Sequence, residues 1–191
     1  WGIMTPSLAG VWDRGVSILR SPVAGVNLFQ SIRAAELLGA GVVLVAFFRE
    51  NTPDMSAESS YGPVVELLRG VAGRAADAGV VLGLENSLSP ADNLKLVDAV
   101  QSLNVRVYYD VFNVAQYGHG DQVVAGVKLL GRERICQVHV KNGERLIEDS
   151  GPIDWPAVFA AFNQIDYDGW YVFESKHSDR EQLIRATIKN I

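Results

Sequence analysis

The sequence predicts an α/β fold of parallel strands, arranged as a (β/α) barrel and not as an open doubly wound sheet. Three observations predict it. Short apolar runs recur along the chain, each followed by a segment of helical spacing with a start signal; strands alternating with helices imply parallel strands joined by right-handed crossovers. No G-x-G-x-x-G or Walker sequence follows any run, although an open sheet most often marks its ligand site by such a turn. Ionisable residues stand at the ends of four runs, and the C-terminal strand ends are where a barrel assembles its site.

The first run, GIMTPSLA at 2 to 9, is the least regular and reads as a sixth strand beside five clearer ones. GVVLVAFF at 41 to 48 is continuously apolar, as when both faces of a sheet are covered. VVLGLEN (80 to 86), VRVYYDV (105 to 111), ICQVHVK (135 to 141) and GWYVFES (169 to 175) repeat the pattern. Ser21-Pro22 and Ser89-Pro90 each read as an N-cap followed by proline at the first helical position, and Asp154-Trp155-Pro156 is a close variant. The helix after Ser21 is expected to stop near Leu38-Gly39 and the one after Tyr61 near Ala78-Gly79, with glycine as the stop. Further helices are expected at 89 to 103, 121 to 131, 155 to 164 and 179 to 190. No linker-like composition shift or repeat of fixed period divides the chain, so residues 1–191 read as one domain.

The 191 residues are 48% hydrophobic and 20% charged, the balance of a folded soluble protein. No apolar run reaches the roughly 18 residues of a membrane span and no leader opens the chain, so no membrane role and a cytoplasmic location are expected. Net charge is −5 and the basic residues are scattered, which argues against nucleic acid as the partner while allowing a local pocket for a small phosphate. The single cysteine, Cys136, lies in an apolar run and reads as a packing residue. The chain opens Trp1-Gly2-Ile3-Met4, and the numbering is expected to start inside a longer polypeptide.

Glu85, Asp110, His139 and Glu174 end four successive runs, spaced by about one strand-helix unit each. Singly, each has a structural explanation: Glu85 could cap a turn, Asp110 could be a loop residue, His139 a satisfied core histidine, and Glu174 could pair with Lys176. Jointly, three carboxylates and an imidazole at one rim would repel and be costly to desolvate unless a cation joined them. Oxygen ligands with one imidazole suit one divalent ion such as Mn²⁺, Mg²⁺ or Co²⁺, with Zn²⁺ a further candidate. Open coordination positions then imply an oxygen-rich substrate.

The stretches GVVLGLENSLSPADN, VRVYYDVFNVAQYGHG, RICQVHVKNG and PIDWPAVFAAF…YDGWYVFES together resemble the xylose isomerase-like TIM-barrel superfamily. Within it they are most similar to sugar and sugar-phosphate isomerases and epimerases of the D-tagatose 3-epimerase-like and hexulose-phosphate isomerase-like groups. The resemblance runs from about residue 40 to the C-terminus. It implies a TIM (β/α)8 barrel whose metal ligands are Glu85, Asp110, His139 and Glu174, on its strands five to eight. It also implies that Glu85 and Glu174 form an acid/base pair, one removing the proton beside the substrate carbonyl and the other returning a proton to the opposite face. Only six strand-helix units are present, ending with the family's eighth. Either the chain begins partway through, which is the expectation, or the barrel is open and a partner covers its edges.

Departures from the family pattern bear on the substrate. Asn113 stands where the epimerases often carry histidine, and could hydrogen-bond a substrate hydroxyl without relaying a proton. The loop from 143 to 152 lacks the Leu-Gly-x-Gly of many relatives. Endonuclease IV-like relatives bind several zinc ions through many histidines, whereas this acidic chain has three. Lys141 with Asn142, Arg49 and His177 are further candidates for contact with a sugar or sugar phosphate. Phe47, Phe48 and Trp12 could wall the sugar ring or serve as core or oligomer contacts, and homo-oligomer formation stays open. The activity expected is isomerisation or epimerisation of a ketose or its phosphate through an enediolate. Alternatives are dehydration of a cyclic polyol on the same scaffold and non-catalytic sugar binding.

Overall fold

The computed structural model describes residues 7–10, 17–174, 181, 182 and 185. Six strands, β1 (Ser7–Gly10), β2 (Val42–Phe47), β3 (Val81–Asn86), β4 (Val105–Asp110), β5 (Ile135–Val140) and β6 (Trp170–Phe173), form one sheet. Every neighbouring pair is parallel and the spatial order is the sequence order. A doubly wound sheet reverses its order at a switch point; this one never does, which is the winding of a barrel. Among the described residues no ladder joins β6 to β1, and the strands form an open arc. Of the first expected strand, residues 2–6 lie outside the described residues, and Ser7–Gly10 pairs with β2 as expected.

The helices are α1 (Ala24–Leu38), α2 (Glu58–Asp77), α3 (Pro90–Val100), the short α4 (Val111–Val114), α5 (Val123–Arg134) and α6 (Trp155–Gln164). Their apolar faces pack on alternate strand residues. Val43, Val45, Leu82, Leu84, Val107, Tyr109, Val138 and Val140 share one buried cluster with Leu28, Ile32, Leu68, Leu96, Val127 and Phe162. Each fully buried aliphatic side chain of this kind contributes about 1.5–3 kcal/mol. Because strand side chains alternate, the residues between them, Glu85, Asp110 and His139, are turned to the other face.

The caps divide. Ser89 Oγ accepts from the Asp92 N–H at 3.1 Å, and Asp154 Oδ1 accepts from the Ala157 N–H at 3.0 Å, so both expected N-caps form. Ser21 is a correction: its carbonyl accepts the Ala24 N–H, Val23 occupies the cap position, and no side chain caps α1. Pro22 therefore precedes the helix by a turn. Helix α2 starts at Glu58, ahead of the expected Tyr61, and carries Pro63 inside it. The glycine stops hold, with Gly39 at φ 67° and Gly79 at φ 66°. Helix α3 ends at Val100, where Gln101 turns left-handed, short of the expected 103. Helix α5 is broken at Gly131, φ 63° and ψ 172°, which lies where its end was expected. Helix α6 keeps the expected bounds, whereas the last helix falls mostly outside the described residues. Among the described residues no helix is long and apolar enough to cross a membrane.

Candidate metal centre

Four adjacent strands deliver the expected four side chains to one place. Asp110 ends β4 and lies directly opposite His139 of β5 in the ladder. Glu85 is the penultimate residue of β3. Glu174 follows β6 directly and stays in register through its N–H, which donates to the Val140 carbonyl at 3.3 Å. Equal register and a shared face bring one donor atom from each within 4.8 Å of all the others.

His139 Nδ1 is the centre of the group. It stands 3.2 Å from Glu85 Oε1, 3.3 Å from Asp110 Oδ2 and 3.7 Å from Glu174 Oε2. Its ring packs against that of Tyr108, with centroids 4.4 Å apart and planes tilted by 53°. Glu85, Asp110 and His139 are at most 5% exposed, whereas the Glu174 side chain is 55% exposed and forms the open side.

Burial pushes the Glu85 carboxyl up to about 7, against the opposing pull of His139. Burial also disfavours charge on His139, but hydrogen bonds and charge from Asp110 and Glu85 outweigh it and raise the imidazole to about 9. For Asp110, burial is outweighed by His139 and the Lys141 ammonium, and its carboxyl is held below the ordinary value.

The donor set fits a divalent cation. Asp110 Oδ2 is buried without a hydrogen-bond donor of good geometry, and faces the charges of His139 and Lys141. Three carboxylates, two of them buried, outnumber the imidazole and the Lys141 ammonium that face them, and a hard or borderline ion would neutralise the excess negative charge.

Sequence reasoning brought together the four candidate ligands but not their supports. The Asn113 amide donates to Glu85 Oε1 and its backbone N–H to Asp110 Oδ1, each at 2.8 Å, so this buried residue orients two ligands at once. Asn142 is 2% exposed, and its amide donates to the Leu146 and Asp149 carbonyls, which makes it a brace for the altered loop and not a rim contact. Lys141 is drawn into the cluster, with Nζ 2.6 Å from Asp110 Oδ2 and 2.5 Å from Glu174 Oε2.

Arg49 follows β2 at the same rim, with φ 54° and its N–H donating to Ser87 Oγ; its side chain is exposed. Phe47 is in the core and Phe48 stacks on Tyr117, centroids 5.8 Å apart. Consecutive strand residues face opposite ways, so the two never shared one wall. Cys136 is half-buried, with Sγ donating to the Val107 carbonyl; desolvation pushes its thiol up to about 12, as suits packing. His177 and Trp12 lie outside the described residues. Tyr108, under the imidazole, was foreshadowed by its place two residues before Asp110 on the same face.

An arc of parallel strands with a carboxylate-rich centre at their C-terminal ends is the arrangement of a (β/α) barrel. The chain belongs to the xylose isomerase-like TIM barrel family, whose model matches residues 26–191. It is 28% identical over 176 residues to the L-ribulose 3-epimerase of Methylomonas sp. (strain DH-1), covering 87% of this chain and 57% of that protein. The chain thus spans somewhat over half the length of that relative. Two solved structures share the fold. A D-tagatose 3-epimerase-like protein superposes with a TM-score of 0.75 at 18% identity, over 96% of this chain and 74% of its own. The IOLI protein with a binding zinc atom gives 0.73 at 18% identity, over 96% and 73%.

Proposed function

We propose that this chain carries the active centre of a divalent-metal-dependent isomerase or epimerase acting on a ketose or sugar phosphate. The observation that carries the reading is the convergence of Glu85, Asp110, His139 and Glu174, one donor atom each within 4.8 Å. Kinship with a protein named as an L-ribulose 3-epimerase supports a sugar as the substrate class. Bound there, Mn²⁺, Mg²⁺, Co²⁺ or Zn²⁺ would supply the positive charge that stabilises an enediolate.

The chain's own residues do the rest. Asp110 and His139, opposite each other on the two inner strands of the four, serve mainly as holders. Glu85 and Glu174 come from the two outer strands and flank the space between. One carboxylate takes the proton from the carbon beside the carbonyl, and the other returns a proton to the opposite face. Buried Glu85 is held in orientation by Asn113, and half-exposed Glu174 faces the opening. Arg49 and Lys141 are assigned to substrate oxygens at the rim, and His177 to the mouth.

The test begins with elemental analysis, for which about one divalent ion per chain is expected. Ketoses and their phosphates are then incubated with the loaded protein in deuterium oxide. Deuterium should enter at the carbon beside the carbonyl without loss of water. Both ion and exchange should be lost in the Glu85→Gln, Glu174→Gln double variant, the exchange by about a thousandfold or more. A dehydrated product would instead assign the centre to polyol elimination. Absence of metal, with no thermal stabilisation by Mn²⁺, would refute the reading.

A further inference from the structure

Lys141 stands two residues beyond His139, so an extended chain turns both side chains to the same face. Its stem runs under cover, the side chain being 16% exposed, and delivers the ammonium to Asp110 Oδ2 and Glu174 Oε2. These are the same two oxygens that face His139 Nδ1. An ion drawn by the four donors and the tethered ammonium therefore claim the same lone pairs. Two cations within about 4 Å repel strongly in a partly desolvated place.

We propose that Lys141 is a built-in counter-ion that holds Asp110 and Glu174 in place for the metal and has to leave both oxygens when the metal binds. The proposal rests on the metal-centre reading above. Without such a charge, the converging carboxylates would push one another apart. With it, the ligands are gathered before the ion arrives, at the cost of a competitor for the site. The release needs only side-chain rotation, because the ammonium sits at the end of a four-carbon stem with many rotamers. Once displaced, it stays at the rim beside the ion, where a substrate oxygen would meet it.

Two measurements on the full chain decide this. In the first, Mn²⁺ binding is followed by calorimetry for wild type and Lys141→Met, which keeps the stem and removes the charge. The variant should bind about tenfold more tightly, its EDTA-treated form should melt below EDTA-treated wild type, and the gap should close when both are loaded. Equal or weaker Mn²⁺ binding by a folded Lys141→Met would overturn the proposal. In the second, wild type is reductively methylated with and without Mn²⁺ and Lys141 is read by mass spectrometry. Labelling should rise severalfold with Mn²⁺; an unchanged or reduced rate would overturn the displacement. The labelling needs no variant, so it decides even where Lys141→Met fails to fold. Failure of wild type to bind either Mn²⁺ or Zn²⁺ would overturn the metal-centre reading itself, and this proposal with it.

Discussion

Asn113 ties the site together at the smallest scale. Its amide holds Glu85 and its backbone N–H holds Asp110, so residues of two strands are oriented through one short side chain. Outer partners of this kind typically change metal affinity by about 10–100-fold when removed. Asn113→Ala should weaken Mn²⁺ binding by a factor in that range while leaving the far-ultraviolet circular dichroism unchanged. Unaltered affinity in the folded variant would mean that the strands alone fix the carboxylates.

Helix starts set the scale above. Ser89 and Asp154 satisfy the first turns of α3 and α6, and α6 follows the loop that leaves β5. Loss of such a cap costs about 1 kcal/mol. Ser89→Ala and Asp154→Ala should each lower stability by about that amount in urea unfolding. Ser21→Ala should change it by less than about 0.5 kcal/mol, since no side-chain hydrogen bond caps α1. Equal losses in all three would contradict the capping geometry. Ser-Pro is the same local signal at both places, yet at α1 a further turn precedes the helix. A dipeptide motif states a preference that packing of the following helix can shift by a residue or two.

The whole molecule feels the centre because it links β3, β4, β5 and the end of β6. Glu85 rises from 4.5 to about 7 and His139 from 6.5 to about 9. A raised value means that each contributes stability complete below its ordinary pKa and lost as pH climbs through the raised one. The EDTA-treated protein should therefore lose melting temperature steadily between about pH 5 and pH 9. Asp110, held low, acts in the opposite sense and matters only as pH falls through its lowered value. An ion held by His139 would require the imidazole to give up a proton, so affinity should rise with pH. Saturating Mn²⁺ should accordingly raise the melting temperature most at the alkaline end, by an amount scaling with RT ln(1 + [L]/Kd). Scanning fluorimetry across pH with and without Mn²⁺ reads both effects, and a flat or rising profile for the EDTA-treated protein would reject the linkage.

The order of the strands and the meeting of four ionisable residues at their ends were legible in the sequence. Apolar runs of strand length and ionisable residues at their ends are local patterns, and parallel winding turns local spacing into a shared rim. Glu85, Asp110, His139 and Glu174 were legible for that reason. What only the tertiary structure decided is how those residues are supported and with what they compete. Asn113, a candidate substrate contact, also orients Glu85 and Asp110, and Asn142 braces the loop after β5; their partners lie across a strand or a loop. Lys141, a candidate contact for a sugar or sugar phosphate, reaches carboxylate oxygens of both Asp110 and Glu174. Alternation along one strand predicts which face a side chain takes; which neighbour it meets there depends on the register of the other strands, and that is set by packing over the whole sheet.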